Sequence, residues 1–350
     1  MATESAVRTR SELVRLLEAR SIAFETIESG QRWAIVTPAL AARIMGAGIG
    51  EENAFWVSPS DGWNAGGQRT WIAPEGGPSG FFYQGSTWSV PPDLDPGHYR
   101  AASAEPGWRS WQTELSARNA AGSSRRISLT RSVKLEKVPG SPGAMIIHFR
   151  HELGNLGSSP LDRRVGLWGL IQLPCEEPCT IFLSLQHRGA RLTPYFGGVP
   201  TLDSGDDGKL GWMSVMGGTR FKAGISPADF PGTLGFVRRS RLPGAPRSSV
   251  TLTAMTFETD PGGAYVDRSP ASWAAPVGNG DAAQVYGDPG TGPLAFCEIE
   301  AHAPAPLLPP GETMRQDIAI TIASLAENEL EGLARNLGMP ALPSEAVNPG

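Results

Sequence analysis

The sequence contains little cysteine, little charge and no long apolar run. Three cysteines in 350 residues, Cys175, Cys179 and Cys297, cannot build a disulfide framework. Charged residues make up 19% of the chain, the formal net charge is −5, and no basic stripe is present, so we expect no nucleic-acid partner. No apolar run approaches the ~18 residues of a membrane span, and no apolar leader opens the sequence. We therefore expect a cytoplasmic protein without a membrane partner.

Two short motifs suggest a metal site or a nucleotide site but lack the features that either would need. Cys175 and Cys179 bracket a Glu-Glu-Pro turn, yet no second pair of ligands matches them, so we interpret them as reduced cysteines. The run Gly-Ala-Gly-Ile-Gly at 46–50 does not have dinucleotide-binding spacing, and we interpret it as a glycine-rich turn. We expect neither a metal nor a cofactor.

Helical periodicity is confined to the two ends of the chain. Ser11 is a candidate N-cap for a helix that ends at Arg20, with leucines along one face. A second helix is predicted from Ser324 to Leu337, where Gly338 and Pro340 would stop it.

Between these ends the dominant hydrophobic period is two, which is typical of strands. Alternating segments occupy 127–135, 145–153, 180–185, 250–259 and 315–322. The 43 glycines and 31 prolines are spread among them, as expected for many strands joined by turns. This pattern excludes alternating βαβ units and favours a large antiparallel sandwich. We predict one domain over 1–350, with its core at about 11–322 and a C-terminal helix and tail at 323–350.

The segment from residue 56 to residue 99 is unusually aromatic. Seven aromatic residues lie between positions 56 and 88, namely Trp56, Trp63, Trp71, Phe81, Phe82, Tyr83 and Trp88. A pyranose packs its apolar C–H face on an aromatic ring, and its hydroxyls suit bidentate groups such as those of Arg and Glu. Arg69, Trp71 and Glu75 supply these groups within seven residues. The alternative is that the tryptophans fill the core and that Arg69 pairs with Glu75 structurally.

Five sequence blocks carry a resemblance to a known family. They are 38–45, 66–77 (Gly-Gly-Gln-Arg-Thr-Trp-Ile-Ala-Pro-Glu-Gly-Gly), 221–225 (Phe-Lys-Ala-Gly-Ile), 280–286 and 297–312 (beginning Cys-Glu-Ile-Glu-Ala-His-Ala-Pro). In this order they resemble an uncharacterised bacterial family, a domain of unknown function, within the galactose-mutarotase-like superfamily. The resemblance implies an all-β supersandwich of large antiparallel sheets, with short N- and C-terminal helices.

The resemblance also implies candidates for catalysis. Aldose 1-epimerases use a glutamate base on a late strand, and Glu300 matches that position best, with Glu298 as the second choice. The strand 166–174 is similar to the epimerase strand that holds a histidine acid, but here Trp168 and Gln172 are the polar side chains. Since Gln172 cannot donate a proton as a general acid, this chain departs from the epimerase pattern.

The general acid must then be sought among the other histidines. We favour His302, which would share a strand face with Glu300, and His187, which follows a strand. His148 and His151 lie on one strand and should face opposite sides. Lys222 would bind a sugar hydroxyl or a carboxylate, or else is a surface lysine.

The sequence thus predicts an isomerase-like enzyme that acts on a carbohydrate or a sugar acid by ring-opening epimerisation. The predicted catalytic residues are Glu300, His302 and His187, and the predicted substrate-binding residues are Arg69, Trp71, Glu75, Gln172, Trp168, Lys222 and Glu298. Two alternatives remain open, a non-catalytic carbohydrate-binding domain and a glycoside-cleaving enzyme with Glu75 and Glu300 across a cleft. The sequence leaves the oligomeric state open, and a homo-oligomer is one of the options.

Overall fold

A computed structural model describes residues 6–162, 165–242, 244–273, 280–339, 342 and 347, and within them strands dominate. The first strands are β1 (Glu25–Ser29), β2 (Arg32–Thr37), β3 (Arg43–Ile49), β4 (Glu52–Asn53), β5 (Gln68–Ala73), β6 (Tyr83–Gln84), β7 (Thr87–Trp88) and β8 (Arg100–Ala102). The next are β9 (Arg109–Arg118), β10 (Ser124–Lys137), β11 (Ala144–Asn155), β12 (Leu161–Asp162), β13 (Gly166–Pro174), β14 (Cys179–Ser184), β15 (Thr193–Gly197) and β16 (Asp203–Ser204). The last are β17 (Leu210–Val215), β18 (Phe221–Ile225), β19 (Thr233–Arg239), β20 (Ser249–Phe257), β21 (Ala283–Gly287), β22 (Phe296–His302), β23 (Leu307–Leu308) and β24 (Thr313–Ala326). Two α-helices, α1 (Arg10–Ala19) and α2 (Leu330–Asn336), and short turns at Asp93–Gly97, Pro270–Ser272, Gly292–Leu294 and Glu327–Glu329 complete the regular structure.

Two large antiparallel sheets organise these strands in the described part of the chain. The first, which we call the site sheet, has the order β1-β2-β3-β5-β13-β22-β21-β18-β15, with β4 paired to β3. The second, the back sheet, has the order β16-β17-β14-β19-β20-β24-β11-β10-β9-β8. The pairs β12–β23 and β6–β7 lie outside both sheets. This architecture confirms the predicted all-β fold class of large antiparallel sheets.

The main hydrophobic core lies between the two sheets. Cys297, Ile299 and Ala301 of β22 are buried in one cluster with back-sheet residues such as Phe149 and Ile318. Because successive strand residues point to opposite faces, the even-numbered residues of β22 point away from this core. The outer face of the site sheet is therefore free to carry polar side chains.

The N-terminal helix begins two residues earlier than an N-cap at Ser11 would place it, and Ser11 is not its cap. Thr9 caps α1, since its hydroxyl accepts from the Glu12 backbone N–H at 3.1 Å while the Glu12 carboxylate accepts from the Thr9 N–H at 2.9 Å. The Ser11 hydroxyl instead donates to Glu51 at 2.7 Å. This reciprocal capping box satisfies two free N–H groups, so it fixes the start of the helix better than Ser11 could.

The C-terminal helix is shorter than predicted. The prediction of helix from Ser324 is wrong, because β24 continues to Ala326 and α2 spans only Leu330–Asn336. Ser324 pairs with Thr251 of β20, and the ladder extends to Ala326. These hydrogen bonds to a neighbouring strand override the local helical pattern. Pro340, predicted to stop the helix, lies outside the described residues.

The glycines at 46–50 do not form the turn that the sequence suggested. Gly46 and Gly48 lie inside β3, and only Gly50, with φ of +61°, turns the chain. A Cβ at Gly48 would lie 1.7 Å from the Glu52 carbonyl oxygen, and one at Gly46 would lie 2.4 Å from a Leu13 methyl. The glycines are there because the chain passes too close for side chains.

The three cysteines are buried and not disulfide-bonded. Burial raises the pKa of the Cys179 and Cys297 thiols, so both stay protonated. Within the described ranges, no group of three or more His, Cys, Asp or Glu side chains is arranged to hold a metal ion. None of the helices in the same ranges is long and apolar enough to cross a membrane.

Candidate functional site

A cavity of about 400 Å³ opens on the outer face of the site sheet, and we call it the sheet cleft. It is lined by Trp63, Asn64, Trp71, Glu75, Tyr83, Trp88, Trp168, Gln172, Phe196, Arg220, Lys222, Tyr286, Asp288, Pro289, Phe296 and Glu298. Concave sites with many apolar groups and a few polar ones are typical of small-molecule binding.

The strand register explains why distant residues meet in the sheet cleft. Gln172 of β13 pairs with Glu298 of β22, and Glu298 pairs with Tyr286 of β21. Tyr286 pairs with Lys222 of β18, and Lys222 pairs with Phe196 of β15. Since directly paired residues share a face, these five side chains form one row across the sheet.

One wall of the cleft is aromatic. The Trp71 ring centroid lies 5.0 Å from that of Phe82 and 5.1 Å from that of Trp168. Trp71 is only 3% exposed, and its indole N–H donates to the Asp95 carboxylate at 2.9 Å. Trp71 therefore packs as a core residue with one edge on the cleft, while Trp88 and Trp63 present more of their rings.

The polar centre of the cleft is Lys222. Its ammonium nitrogen lies 2.9 Å from a Glu75 carboxylate oxygen, 3.4 Å from a Glu300 oxygen and 4.8 Å from the Trp168 ring centroid. Burial alone would lower the pKa of Lys222, but the Glu300 and Glu75 carboxylates outweigh it and raise the pKa. Glu75 thus pairs with Lys222 and, through its other oxygen, with the Trp88 N–H at 2.8 Å.

Glu298 is a carboxylate of the sheet cleft whose pKa is raised. It accepts a hydrogen bond from the Gln172 amide at 2.7 Å. Burial and the negative charge of Glu300 raise the pKa of Glu298 to about 7. Glu298 therefore exchanges a proton readily near neutral pH, which is what acid–base chemistry requires.

Glu300 and His302 lie one layer deeper, behind Lys222 and Trp168. Glu300 is 0% exposed, and its oxygens lack hydrogen-bond geometry to any described partner. Burial alone would raise the pKa of Glu300, but the Lys222 ammonium and His302 outweigh it and lower the pKa. The His302 ring stacks on Trp168 at 5.5 Å. Neither residue is part of the cavity lining.

A second buried cluster lies next to Glu300 on the same face of the site sheet, because Gln284 of β21 pairs with Glu300. The Gln284 amide donates to Asp267 and to the Tyr195 hydroxyl, each at 2.8 Å, and Tyr195 donates to Asp281 at 2.8 Å. Burial raises the pKa of Asp281 to about 7. A Cβ at Gly224 would lie 2.1 Å from an Asp281 oxygen, so only glycine fits there. These groups fix the strands that carry Lys222.

Arg69 lies behind the aromatic wall. It is fully buried, its guanidinium carbon lies 4.9 Å from the Trp71 ring, and it donates to Asn64 at 2.8 Å. Burial and the nearby Arg43 lower the pKa of Arg69 to about 9. The alternative interpretation of the sequence was that Arg69 forms an ion pair with Glu75. In the structure Glu75 pairs with Lys222 instead.

None of the five histidines, all of which are described, lines the sheet cleft. His187 lies on an exposed loop, 2.8 Å from Asp229 and away from the cleft. His151 is buried and His148 is half-buried on the other face of β11, as predicted, while His98 is exposed in its turn. The structure thus brings no histidine to the cleft surface in place of the one that epimerases carry.

Of the predicted site residues, six line the cleft, three lie directly behind it and one is remote. The six are Trp71, Glu75, Trp168, Gln172, Lys222 and Glu298. The sequence argument did not include Arg220, Phe196, Tyr286 or Asp288. The sequence could have indicated Tyr286, because Tyr286 belongs to the 280–286 block that supported the family resemblance. Arg220 and Phe196 carry no sequence signal, because only the pairing of β15 with β18 brings them together.

Comparisons with known proteins agree with this fold. No curated protein matches the sequence. A putative aldose 1-epimerase from Escherichia coli K12 is 12% identical, with a TM-score of 0.50 over 87% of this chain and 100% of that one. A galactose mutarotase related enzyme from Lactobacillus acidophilus is 11% identical, with a TM-score of 0.50 over 87% and 99% of the two chains. Residues 14–339 match the family of unknown function DUF6786, so the chain belongs to this family and has a galactose mutarotase-like fold.

Proposed function

We propose that the sheet cleft binds a carbohydrate and that the protein is an isomerase that opens and recloses a sugar ring. The observation that carries this proposal is the meeting, in one cavity, of an aromatic wall with the carboxylate of Glu298 and the ammonium of Lys222. Aromatic rings suit the apolar face of a pyranose, and the charged groups suit its hydroxyls. The resemblance of the fold to that of aldose 1-epimerases supports the same class of reaction.

Glu298 is the proposed general base. It lines the cavity and its pKa is about 7, so a large share of it is ionised at neutral pH and can take a proton from the anomeric hydroxyl. The electrons of the O–H bond form the carbonyl of the open-chain sugar as the bond between the anomeric carbon and the ring oxygen breaks, so negative charge develops on the ring oxygen. After rotation about the bond between the first two carbons, the ring oxygen attacks the other face of this carbonyl, and Glu298 returns the proton to the new anomeric hydroxyl. Lys222, two strands from Glu298 in the same row, is the cationic donor, and it would hydrogen-bond the ring oxygen.

Glu300, the base expected from the family resemblance, has a supporting role in this proposal. It is fully enclosed, and its negative charge holds Lys222 in place and raises the pKa of Glu298. In the same proposal, His302 stacks on Trp168 and so supports this ring of the cleft lining.

A non-catalytic carbohydrate-binding protein is the second candidate. The absence of a histidine from the cleft lining supports it, since epimerases pair their glutamate with a histidine acid. The glycoside-cleaving alternative has less support, because Glu75 and Glu300 are both held by one lysine and Glu300 lies behind it.

One experiment separates the two candidates. A thermal-shift screen with monosaccharides, uronic acids and oligosaccharides should return a ligand that raises the melting temperature, since ligands that bind the folded state stabilise it. NMR exchange spectroscopy on that sugar then measures interconversion of its anomers with and without protein. Accelerated exchange supports the isomerase, and binding without acceleration supports the carbohydrate-binding protein.

A further inference from the structure

The mouth of the sheet cleft carries an exposed tryptophan. The described residues include four large apolar side chains that are exposed, and of these only Trp63 lines the cleft. Trp63 is 59% exposed, and its ring centroid lies 5.2 Å from that of Trp88. An indole held open to water in this way exposes a large apolar surface, which commonly marks a binding surface.

The loop that carries Trp63 is anchored from beneath. The buried Arg43 guanidinium donates to the carbonyl oxygens of Trp63 and Gly66, each at 3.3 Å. The buried Arg69 guanidinium donates to the Asn64 side chain at 2.8 Å. Because these anchors are buried, they hold the loop backbone at Trp63 in place. A loop that is already ordered loses less entropy when a ligand stacks on its ring.

Trp88 joins this exposed ring to the inner cleft. Its ring stacks on Phe82 at 6.0 Å with an interplanar angle of 21°, and its indole N–H donates to Glu75. Glu75 in turn holds Lys222. Trp63 and Trp88, which we call the aromatic shelf, therefore continue outward from the polar centre of the site.

The lining of the sheet cleft also includes polar side chains that are at least partly exposed. The Arg220 guanidinium lies 4.8 Å from the Phe196 ring, and Asp288 accepts from the Tyr286 hydroxyl at 2.9 Å. Arg220 is exposed and Asp288 is partly exposed. These groups can hydrogen-bond hydroxyls at the mouth while the aromatic shelf contacts a C–H face.

We propose that the sheet cleft takes a saccharide of at least two rings, with one ring over Glu298 and Lys222 and the next on the aromatic shelf. This inference rests on the proposed carbohydrate site and specifies its substrate class. A free monosaccharide would fill the inner part and leave Trp63 in water. A second ring would cover Trp63, and stacking on it would add affinity beyond that of the inner ring.

The test is isothermal titration calorimetry with matched sugars of increasing length. The probes are glucose, galactose, cellobiose, maltose, lactose and cellotriose. The disaccharide that contains the bound monosaccharide should bind roughly three- to tenfold more tightly than that monosaccharide. In Trp63→Ala this gain should disappear, so that the disaccharide and the monosaccharide bind with similar affinity. Trp63→Phe, which keeps a ring, should retain part of the gain.

Trp108→Ala is the matched control, because Trp108 packs on Arg150 at 4.7 Å and is not part of the cleft lining. Trp108→Ala should leave the affinity for every sugar unchanged. The melting temperature of Trp63→Ala should match that of the wild type, because the Trp63 ring is exposed. Equal affinities for monosaccharide and disaccharide, unchanged in Trp63→Ala, would overturn the two-ring inference and leave the carbohydrate site standing. Absence of binding to every sugar in the wild type would overturn the carbohydrate site and the inference together.

Discussion

Replacing Lys222 by methionine tests the electrostatics of the sheet cleft. The ammonium of Lys222 stands between the carboxylates of Glu75 and Glu300 and is almost fully buried. Methionine fills a similar volume but removes the positive charge, so the buried carboxylate of Glu300 and the half-buried carboxylate of Glu75 lose their cationic partner. Removing one member of a buried ion pair typically costs about 3–5 kcal/mol of unfolding free energy.

The cost should depend on pH in a defined direction. Lys222 has a raised pKa in the fold, so its stabilising effect is complete below its ordinary pKa of 10.5 and is lost only at higher pH. Glu300 has a lowered pKa, so its contribution is complete above 4.5 and is lost as the pH falls. In the variant, burial without a cation raises the pKa of both carboxylates. They take up protons as the pH falls, and the penalty shrinks.

Chemical denaturation at pH 8, 6.5 and 5 measures this penalty. We expect a loss of about 3 kcal/mol or more at pH 8 and a clearly smaller loss at pH 5. Lys134→Met is the control, since Lys134 forms an exposed pair with Glu136 at 3.3 Å and should cost roughly 0–1 kcal/mol at each pH. A penalty in Lys222→Met as small as that of the control, or one that is equal at pH 8 and pH 5, would refute the assigned charges.

Three further substitutions test the division of roles in the cleft. Glu298→Gln should keep sugar binding but lower anomer exchange by about 10²-fold or more, and full activity would remove Glu298 as the base. Glu300→Gln removes a negative charge that raises the pKa of Glu298, so this pKa should fall. The pH midpoint of turnover, which we expect near 7 in the wild type, should therefore move to lower pH in the variant. A midpoint that does not move would contradict the coupling between Glu300 and Glu298. Trp71→Ala should destabilise the protein by roughly 3–5 kcal/mol in denaturation, because its ring is packed as core, and a loss below 1 kcal/mol would contradict that packing.

The sequence alone determined the class of fold and the general region of the site. Alternation of apolar and polar residues has a period of two in any strand, so it identified β11, β14, β20 and β24 before any contact was known. The same rule placed Glu298 and Glu300 on one face of β22. The density of aromatic residues near Trp71 also pointed to the segment that forms one wall of the cleft.

Tertiary structure decided which of these residues line the sheet cleft. Glu298 and Glu300 share a face, yet only Glu298 lines the cavity, because Lys222 and Trp168 stand in front of Glu300. The partner of Glu75 is 147 residues away in the sequence, at Lys222. No local pattern encodes such a distance.

The errors have the same origin. The helical pattern that begins at Ser324 gave way to pairing with β20. In β3, Gly48 proved to allow the close approach of Glu52, and Gly46 that of Leu13. His187 has a plausible position in sequence but pairs with Asp229 outside the cleft. Period and composition are local properties and can be read along the chain. Register, burial depth and ion pairing arise only when strands from distant segments pack, so the tertiary structure alone determines them.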